Sequence, residues 1–237
     1  MIAKYPYITS QLPRMIDISN VKTNSTLAEI DLSLEAALKY RFKCVFAMPL
    51  FTPVVVKKLR GSTGENKDIL VGGTTGFPSG EDTTATKVAA AKELVAMGCD
   101  EIDMVVAVGA LKSGKWDMYK DDIKAVRDAI GDLPLKTILE VSLLTPDEIK
   151  RASVLAVEAG SNYVKTGTGW MNKPATVEDV RLIHSAIGDS AFIKAAGGVS
   201  TLEQVNEMIE AGCSRFGISY AKTMSLMKQL EEYLSQQ

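Results

Sequence analysis

The sequence predicts an α/β protein folded as a single (β/α)8 TIM barrel, and three observations lead to this fold class. Short apolar segments alternate with helical patterns along the whole chain. The segments begin 22 to 36 residues apart, which leaves room for one strand and one returning helix. Eight such units close a barrel, whereas the rival doubly wound open sheet would carry a G-x-G-x-x-G motif that is absent after the first segment.

Each candidate strand is short, apolar and bounded by polar or turn-forming residues. In chain order the segments are 13-PRMID-17, 43-KCVFAM-48, 68-DILVGGT-74, 99-CDEIDMVVAV-108, 135-LKTILEV-141, 161-SNYVKT-166, 191-AFIKAA-196 and 213-CSRFGIS-219.

The predicted helices have apolar residues at helical spacing, and most of them end at a glycine. They are 27-LAEIDLSLEAALKY-40, 84-TATKVAAAKELVAMG-98, 120-KDDIKAVRDAIG-131, 146-PDEIKRASVLAVEAG-160, 176-TVEDVRLIHSAIG-188, 201-TLEQVNEMIEAG-212 and 222-KTMSLMKQLEEYLSQ-236. Residues 1–10 precede the first unit and are predicted to cap the domain, which spans residues 1–237.

Composition and charge exclude several classes of function. A net charge of −2 gives no basic surface for nucleic acid. No stretch approaches the roughly 20 apolar residues of a membrane span. The first residues, 1-MIAKYPYITSQLPR-14, lack the apolar core of a secretory signal, so we expect a cytoplasmic protein without a membrane partner.

The chain offers few side chains for redox or metal chemistry. Its three cysteines, Cys44, Cys99 and Cys213, stand far apart beside apolar runs and are interpreted as small buried hydrophobic residues. The one histidine, His184, lies in a helical pattern and cannot form the imidazole cluster of a catalytic zinc site. We therefore expect no metal and no cofactor.

Two lysines stand where the sixth and seventh strands end, which is where barrels of this kind carry their active sites. Inward-facing Lys165 and Lys194 would bring two ammonium groups close together, because neighbouring strands are ~4.8 Å apart. At ~4 Å and an effective dielectric constant of ~20, such a pair repels by ~4 kcal/mol. One amine is then expected to be neutral and able to form an imine with a carbonyl carbon. The alternative is a solvated pair that reaches the barrel rim.

Imine chemistry that cleaves a carbon–carbon bond also needs a group that moves protons. Asp103 lies in the middle of the fourth strand, and a buried carboxylate needs a cation, so one of the two lysines is its expected partner. The alternative is a structural salt bridge elsewhere in the barrel. Weaker candidates for the site are Asp17, Ser19, Asn20, Lys136 and Glu140.

Glycine-rich loops after the seventh and eighth strands predict a phosphate site. The loop 195-AAGGVSTLEQ-204 supplies a glycine pair before a helix, and 216-FGISYAK-222 supplies a third glycine and a serine. Gly167 and Gly169, after the sixth strand, would complete the cradle. The alternative is that these glycines serve backbone turns alone.

These residues fall in motifs that resemble the deoxyribose-phosphate aldolase family across nearly the whole chain. The motifs are 75-TGFPSG-80, 101-EIDMVVAVGALK-112, 163-YVKTGTGW-170, 192-FIKAAGGVST-201 and 215-RFGIS-219. The resemblance implies a (β/α)8 barrel and a homodimer. It also implies a metal-independent class I aldolase that cleaves 2-deoxy-D-ribose 5-phosphate to D-glyceraldehyde 3-phosphate and acetaldehyde.

By position, the resemblance implies that Lys165 forms the imine, that Lys194 keeps it deprotonated and that Asp103 handles protons. The residues that would hold substrate and phosphate are Ser19, Thr168, Gly169, Gly197, Gly198, Gly217 and Ser219.

The substrate end departs from the family pattern. Phe46 stands where the family has a cysteine beside the reacting centre, and Met48 is changed nearby. Ser200 stands where an arginine is frequent, and Tyr220 replaces the second serine of Gly-x-Ser-Ser. We predict an apolar, smaller pocket floor, weaker phosphate binding and a mouth reshaped for a different acceptor by Trp170, Met171, Lys173 and Tyr220.

Two other functions stay open at this point. One is an imine-forming aldolase or transaldolase-like enzyme that acts on another sugar, sugar phosphate or donor. The other is a barrel that binds a sugar phosphate without catalysis.

Overall fold

A computed structural model describes residues 4–61, 66–171 and 173–236. Eight parallel strands in these residues close into a barrel in chain order, which confirms the predicted (β/α)8 fold class. The strands are β1 Ile16–Asn20, β2 Cys44–Ala47, β3 Leu70–Thr75, β4 Glu101–Val105, β5 Leu135–Ile138, β6 Tyr163–Lys165, β7 Phe192–Ala196 and β8 Cys213–Ser219.

Helices in the described part of the chain surround the barrel. They are α1 Leu27–Tyr40, α2 Thr52–Arg60, α3 Thr84–Met97, α4 Val108–Lys112, α5 Trp116–Ala129, α6 Pro146–Glu158, α7 Val177–Ile187, α8 Leu202–Glu210 and α9 Tyr220–Leu234. Within these residues, no helix has the length and apolarity to cross a bilayer.

The first predicted strand is displaced in the structure. Residues Leu12–Met15 form a 3-10 turn, and β1 begins only at Ile16. Pro13 lies in the first turn of that short helix, where its missing N–H is tolerated. Prediction also missed α2, since its three consecutive valines favour a strand by propensity.

The predicted N-terminal cap falls partly outside the described residues, because residues 1–3 are not described. Ile8 and Leu12 are buried in the core. Tyr5 packs on Tyr233 near the end of α9, with ring centroids 5.1 Å apart.

Side chains alternate along each strand, so one set faces the helices and the other faces the barrel interior. Apolar residues such as Ile18, Val45 and Ile102 are fully buried and belong to the core around the barrel. The alternate positions carry buried acidic residues on two of these strands, Asp17 on β1 and Glu101 and Asp103 on β4. The barrel wall is therefore packed conventionally, whereas its interior is charged.

The cysteines and the histidine behave as the sequence predicts. All three cysteines are buried and free of disulfides. His184 is an exposed residue in the last turn of α7.

Candidate active site

A cavity of about 360 Å³ opens at the C-terminal ends of the strands. Its walls come from β1, β2, β3, β6, β7 and β8, from the loops after β1, β3, β6 and β7, and from the first turns of α1 and α9. The lining includes nine of the residues proposed from sequence: Ser19, Lys165, Thr168, Gly169, Lys194, Gly197, Gly198, Gly217 and Ser219. Two of the weaker candidates, Asp17 and Asn20, also line it. Asp103 lies outside the lining and contacts the two lysines directly.

Lys165 and Lys194 are register partners on the adjacent strands β6 and β7. Both Nζ atoms donate a hydrogen bond to the same oxygen, Oδ2 of Asp103, each at 2.8 Å. The two amines therefore lie close together on one carboxylate, as the strand positions predict. All three side chains are buried.

The contacts continue from Lys194 across the barrel interior to β1, β8 and β4. Lys194 Nζ lies 2.6 Å from Oδ2 of Asp17. Arg215 donates to Oδ1 of Asp17 at 2.6 Å and to Oε2 of Glu101 at 3.1 Å.

Lys136 on β5 closes the network. Its Nζ lies 2.5 Å from Oε1 of Glu101 and donates to Oδ1 of Asp103 at 3.0 Å. It is fully buried, as are both carboxylates. The network therefore forms a closed set of ion pairs under the cavity.

This network contains one more potential cation than it has anions. The potential cations are Lys136, Lys165, Lys194 and Arg215, and the anions are Asp17, Glu101 and Asp103. The arginine stays charged in proteins, and Lys136 and Lys194 each contact two carboxylates. Lys165 contacts only Asp103. It is thus the amine that loses its proton most easily.

The electrostatic environment agrees with this assignment. Burial lowers the pKa of Lys165 to about 8, Asp103 opposes the shift and the charge of Lys194 adds to it. Repulsion between the two lysines was the predicted main cause; that prediction is wrong, since burial lowers the pKa of Lys165 more than the charge of Lys194 does. Near pH 7.5, about a quarter of Lys165 is then neutral, against about one in a thousand for an ordinary lysine.

The neighbours of Lys165 are shifted in the opposite sense. Burial alone would lower the pKa of Lys136, but Asp103 and Glu101 outweigh it and raise that pKa above its usual range. Burial likewise disfavours a charged Asp103, yet Lys136, Lys165 and Lys194 together hold its pKa well below the usual value. Asp103 is therefore a carboxylate at neutral pH.

Phe46 forms part of the cavity floor, as the sequence predicts, whereas Met48 does not line the cavity. The centre of the Phe46 ring lies 4.2 Å from Lys194 Nζ and 6.0 Å from Lys165 Nζ. A ring face attracts a nearby cation, and this attraction is weaker for Lys165, which lies farther from the ring than Lys194 does.

Besides Met48, three residues predicted to shape the substrate end do not line the cavity. Ser200 does not line it; its N–H donates to Gln204, and its carbonyl accepts from Gln229. Met171 and Lys173 are also absent from the lining, whereas Trp170 and Tyr220 are part of it.

Sequence reasoning missed Glu101 and Arg215 and ranked Asp17 and Lys136 too low. A signal was available, because Glu101 precedes Asp103 by two residues and so faces the same side of β4. Likewise, Arg215 precedes Gly217 by two residues and so faces the same side of β8.

One group of described residues has the donor atoms of a metal site. Single donor atoms of Asp17, Cys44 and Glu101 lie within 4.8 Å of one another. Arg215 already binds both carboxylates. Burial raises the pKa of the Cys44 thiol well above its usual value. A protein cation therefore occupies the position that a metal ion would need.

Comparison with known proteins adds independent information. A family model described as DeoC/LacD family aldolase matches residues 50–221. The chain is 41% identical over 206 residues to the deoxyribose-phosphate aldolase of Staphylococcus carnosus, and the match covers 87% of this chain and 91% of that protein. The corresponding enzyme of Klebsiella pneumoniae is 37% identical over 226 residues, which cover 95% of this chain and 90% of that protein.

A solved structure shows the same likeness in three dimensions. A protein from Coccidioides immitis, provisionally described as a deoxyribose-phosphate aldolase, superimposes with a TM-score of 0.88 at 32% identity. The match covers 94% of this chain and 86% of that one.

The charge network predicts the effect of Lys194→Met. With one cation removed, the remaining charges balance when Lys165 is protonated, so its pKa should rise. The measurement is the rate of reductive methylation of Lys165 against pH, followed by peptide mass mapping. The wild-type rate should increase through about pH 8, and the variant should need a higher pH. An unchanged midpoint in the variant would show that Lys194 does not influence Lys165.

Packing under the cavity predicts the effect of Gly72→Ala. A Cβ atom at this position would lie 2.1 Å from the Phe46 ring, which is buried. We expect a loss of about 1–3 kcal/mol in the free energy of unfolding, measured in urea. In a Phe46→Leu background, the same substitution should cost less. Equal costs in both backgrounds would contradict the proposed contact.

Proposed function

Because the chain belongs to the DeoC/LacD family of aldolases, we propose that it is a deoxyribose-phosphate aldolase. It cleaves 2-deoxy-D-ribose 5-phosphate to D-glyceraldehyde 3-phosphate and acetaldehyde. The observation that carries the proposal is a buried lysine of lowered pKa, Lys165, that lines the cavity beside a carboxylate. The relatives give no support to the transaldolase-like and non-catalytic alternatives.

In the proposed reaction, neutral Lys165 Nζ attacks C1 of the open-chain sugar. Loss of water from the carbinolamine gives a protonated imine. The C3 hydroxyl then loses its proton, the C2–C3 bond breaks, and its electron pair moves into the imine to form an enamine. Glyceraldehyde 3-phosphate leaves. Protonation of the enamine at C2 and hydrolysis of the imine release acetaldehyde and restore the lysine.

Asp103 is proposed to move protons at the Lys165 nitrogen. Its Oδ2 accepts from Lys165 at 2.8 Å, so it can take a proton as the carbinolamine forms and return it when water leaves. Lys194 binds the same oxygen and keeps Asp103 ionised between these steps. It also favours the neutral form of Lys165.

The phosphate is proposed to bind between the loops after β7 and β8. Gly197 and Gly169 approach closely, since a Cβ on Gly197 would lie 3.3 Å from the Cα of Gly169. Ser219 is the N-cap of α9, yet its side chain makes no capping hydrogen bond. Its hydroxyl and the helix N-terminus are therefore available to an anion in the cavity.

Two lysines can compensate for the arginine that Ser200 replaces. Lys22 and Lys222 both line the cavity, and neither forms an ion pair with a described residue. Lys222 lies in the first turn of α9, beside Ser219. The predicted weakening of phosphate binding is therefore offset in part by these cations.

Several predictions from sequence stay predictions. They are the homodimer, the cytoplasmic location and the single-domain boundary at residues 1–237. A small sugar phosphate remains the proposed partner.

Trapping with borohydride tests the imine. Incubation with acetaldehyde and borohydride should add one ethyl group to the peptide that contains Lys165, and activity should be lost. Lys165→Met should show neither the adduct nor turnover, whereas Lys173→Met, a lysine outside the cavity lining, should show both. No adduct at all would support a non-catalytic barrel instead, and an adduct on another lysine would contradict the role proposed for Lys165.

A second test addresses the phosphate end. Charge-assisted hydrogen bonds contribute about 1.5–3 kcal/mol, and solvent exposure reduces this. Lys222→Met should therefore raise the KM for deoxyribose 5-phosphate by roughly tenfold, which is ~1.4 kcal/mol. Turnover of phosphate-free 2-deoxyribose should not change.

Lys228→Met is the matched control, because Lys228 lies on the same helix and is 79% exposed. An equal loss on both sugars in Lys222→Met would show that Lys222 does not act through the phosphate.

A further inference from the structure

The loop after β6 carries Trp170 over the mouth of the barrel. Its indole Nε1 donates to the carbonyl oxygen of Val21, in the loop after β1, at 2.9 Å. Its ring meets Phe77, in the loop after β3, edge to face, with centroids 5.9 Å apart. Strands β1 and β3 each lie three places from β6 around the barrel, so the indole bridges the opening.

The cavity lies on one side of the barrel opening, the side on which the loop after β6 carries Trp170 toward the loop after β1. Its described lining comes from the first three strands, the last three strands and the segments that follow them. None of the described residues of β4, β5 or the loops after them lines it. A substrate bound to Lys165 therefore extends toward the loops of β7, β8 and β1, under the indole.

Glu140 fixes the loop that carries the indole. It is buried, yet it belongs neither to the ion network nor to the cavity lining. Its Oε2 accepts from the N–H of Thr168 at 3.1 Å and from the Thr168 hydroxyl. The same hydroxyl oxygen accepts from the N–H of Trp170 at 3.0 Å. A chain of hydrogen bonds thus connects Glu140 to Trp170.

The backbone around Glu140 is shaped for this contact. Glu140 has φ 55° and ψ 59°, the left-handed region that a residue with a Cβ rarely adopts. Gly167 lies against its carboxylate, because a Cβ there would lie 2.7 Å from Oε1. Such a conformation persists only where the surrounding structure holds it, and such sites concentrate where function requires them.

We propose that Trp170 is a specificity-determining residue that roofs the active site, and that Glu140 is the positioning residue that holds this roof through Thr168. The roof admits short, unbranched acceptor aldehydes with an anionic end and excludes aldehydes with branched or aromatic substituents. This inference rests on the proposed aldolase function.

The position of the roof can be measured without activity. The chain has two tryptophans, so Trp116→Phe leaves Trp170 as the only one. In that background, Glu140→Ala and Thr168→Val should shift the emission of Trp170 to longer wavelength and increase its quenching by acrylamide. Glu140→Gln keeps one acceptor oxygen, so its emission wavelength and quenching should lie between those of the Trp116→Phe protein and those of Glu140→Ala.

Controls separate loop release from misfolding. Glu178→Gln, at an exposed position in the first turn of α7, should leave the emission unchanged. Far-ultraviolet circular dichroism checks the fold, and Thr168→Val provides the test if Glu140→Ala does not fold. Unchanged emission and quenching in folded Thr168→Val would overturn the positioning role of Glu140.

Synthesis with acetaldehyde as donor tests specificity. The measured quantity is the ratio of kcat/KM for phenylacetaldehyde to kcat/KM for glyceraldehyde 3-phosphate. Trp170→Ala should raise this ratio by at least about tenfold, and the ratio for Trp170→Phe should lie between those of Trp170→Ala and the wild type. The same ratio in all three proteins would overturn the specificity role. A wild-type protein that forms no acetaldehyde adduct on Lys165 would instead refute the proposed function, and the fluorescence result would still show whether the roof exists.

Discussion

The ion network inside the barrel is the constraint on which the active site depends. Interiors of such barrels are commonly filled by branched apolar side chains. Here the inward positions carry buried charges, and a buried charge is tolerated only when it is paired and hydrogen-bonded. Three carboxylates neutralise three cations, and the fourth basic group, Lys165, lies at the edge where the network meets the cavity.

The rest of the site follows from the position of that amine. Closure of the barrel places β6 beside β7, so Lys194 and Lys165 share one oxygen of Asp103. Phe46 adds to the asymmetry, since its ring lies nearer to Lys194 than to Lys165. Above the amine, the helix N-terminus of α9 and two lysines provide positive potential, and the indole of Trp170 limits the direction in which a bound substrate extends.

Much of this arrangement can be predicted from sequence, because periodicity and strand position are local properties. The bounds of α1 and β8 and the place of Lys165 at the end of β6 follow from them. The prediction that Lys194 ends its strand is wrong, since β7 continues to Ala196. The partners of Arg215 cannot be predicted from local properties, because Asp17 and Glu101 reach it only after the barrel closes. Likewise, Ser200 marks a missing cation in the sequence, whereas the proximity of Lys222 to the same cavity depends on tertiary structure. The left-handed backbone of Glu140 has no sequence signal, since glycine or asparagine is the usual residue there.

The most direct measurement is the ionisation of Lys165 itself. In protein labelled with ¹³C and ¹⁵N at lysine, the Cε and Nζ shifts of Lys165 can be followed against pH and assigned by comparison with Lys165→Met. A titration midpoint close to 8 is expected, with Lys136 still protonated at that pH. A midpoint for Lys165 at or above the ordinary lysine value of about 10.4 would show that the barrel interior does not release its extra proton, and would contradict the account.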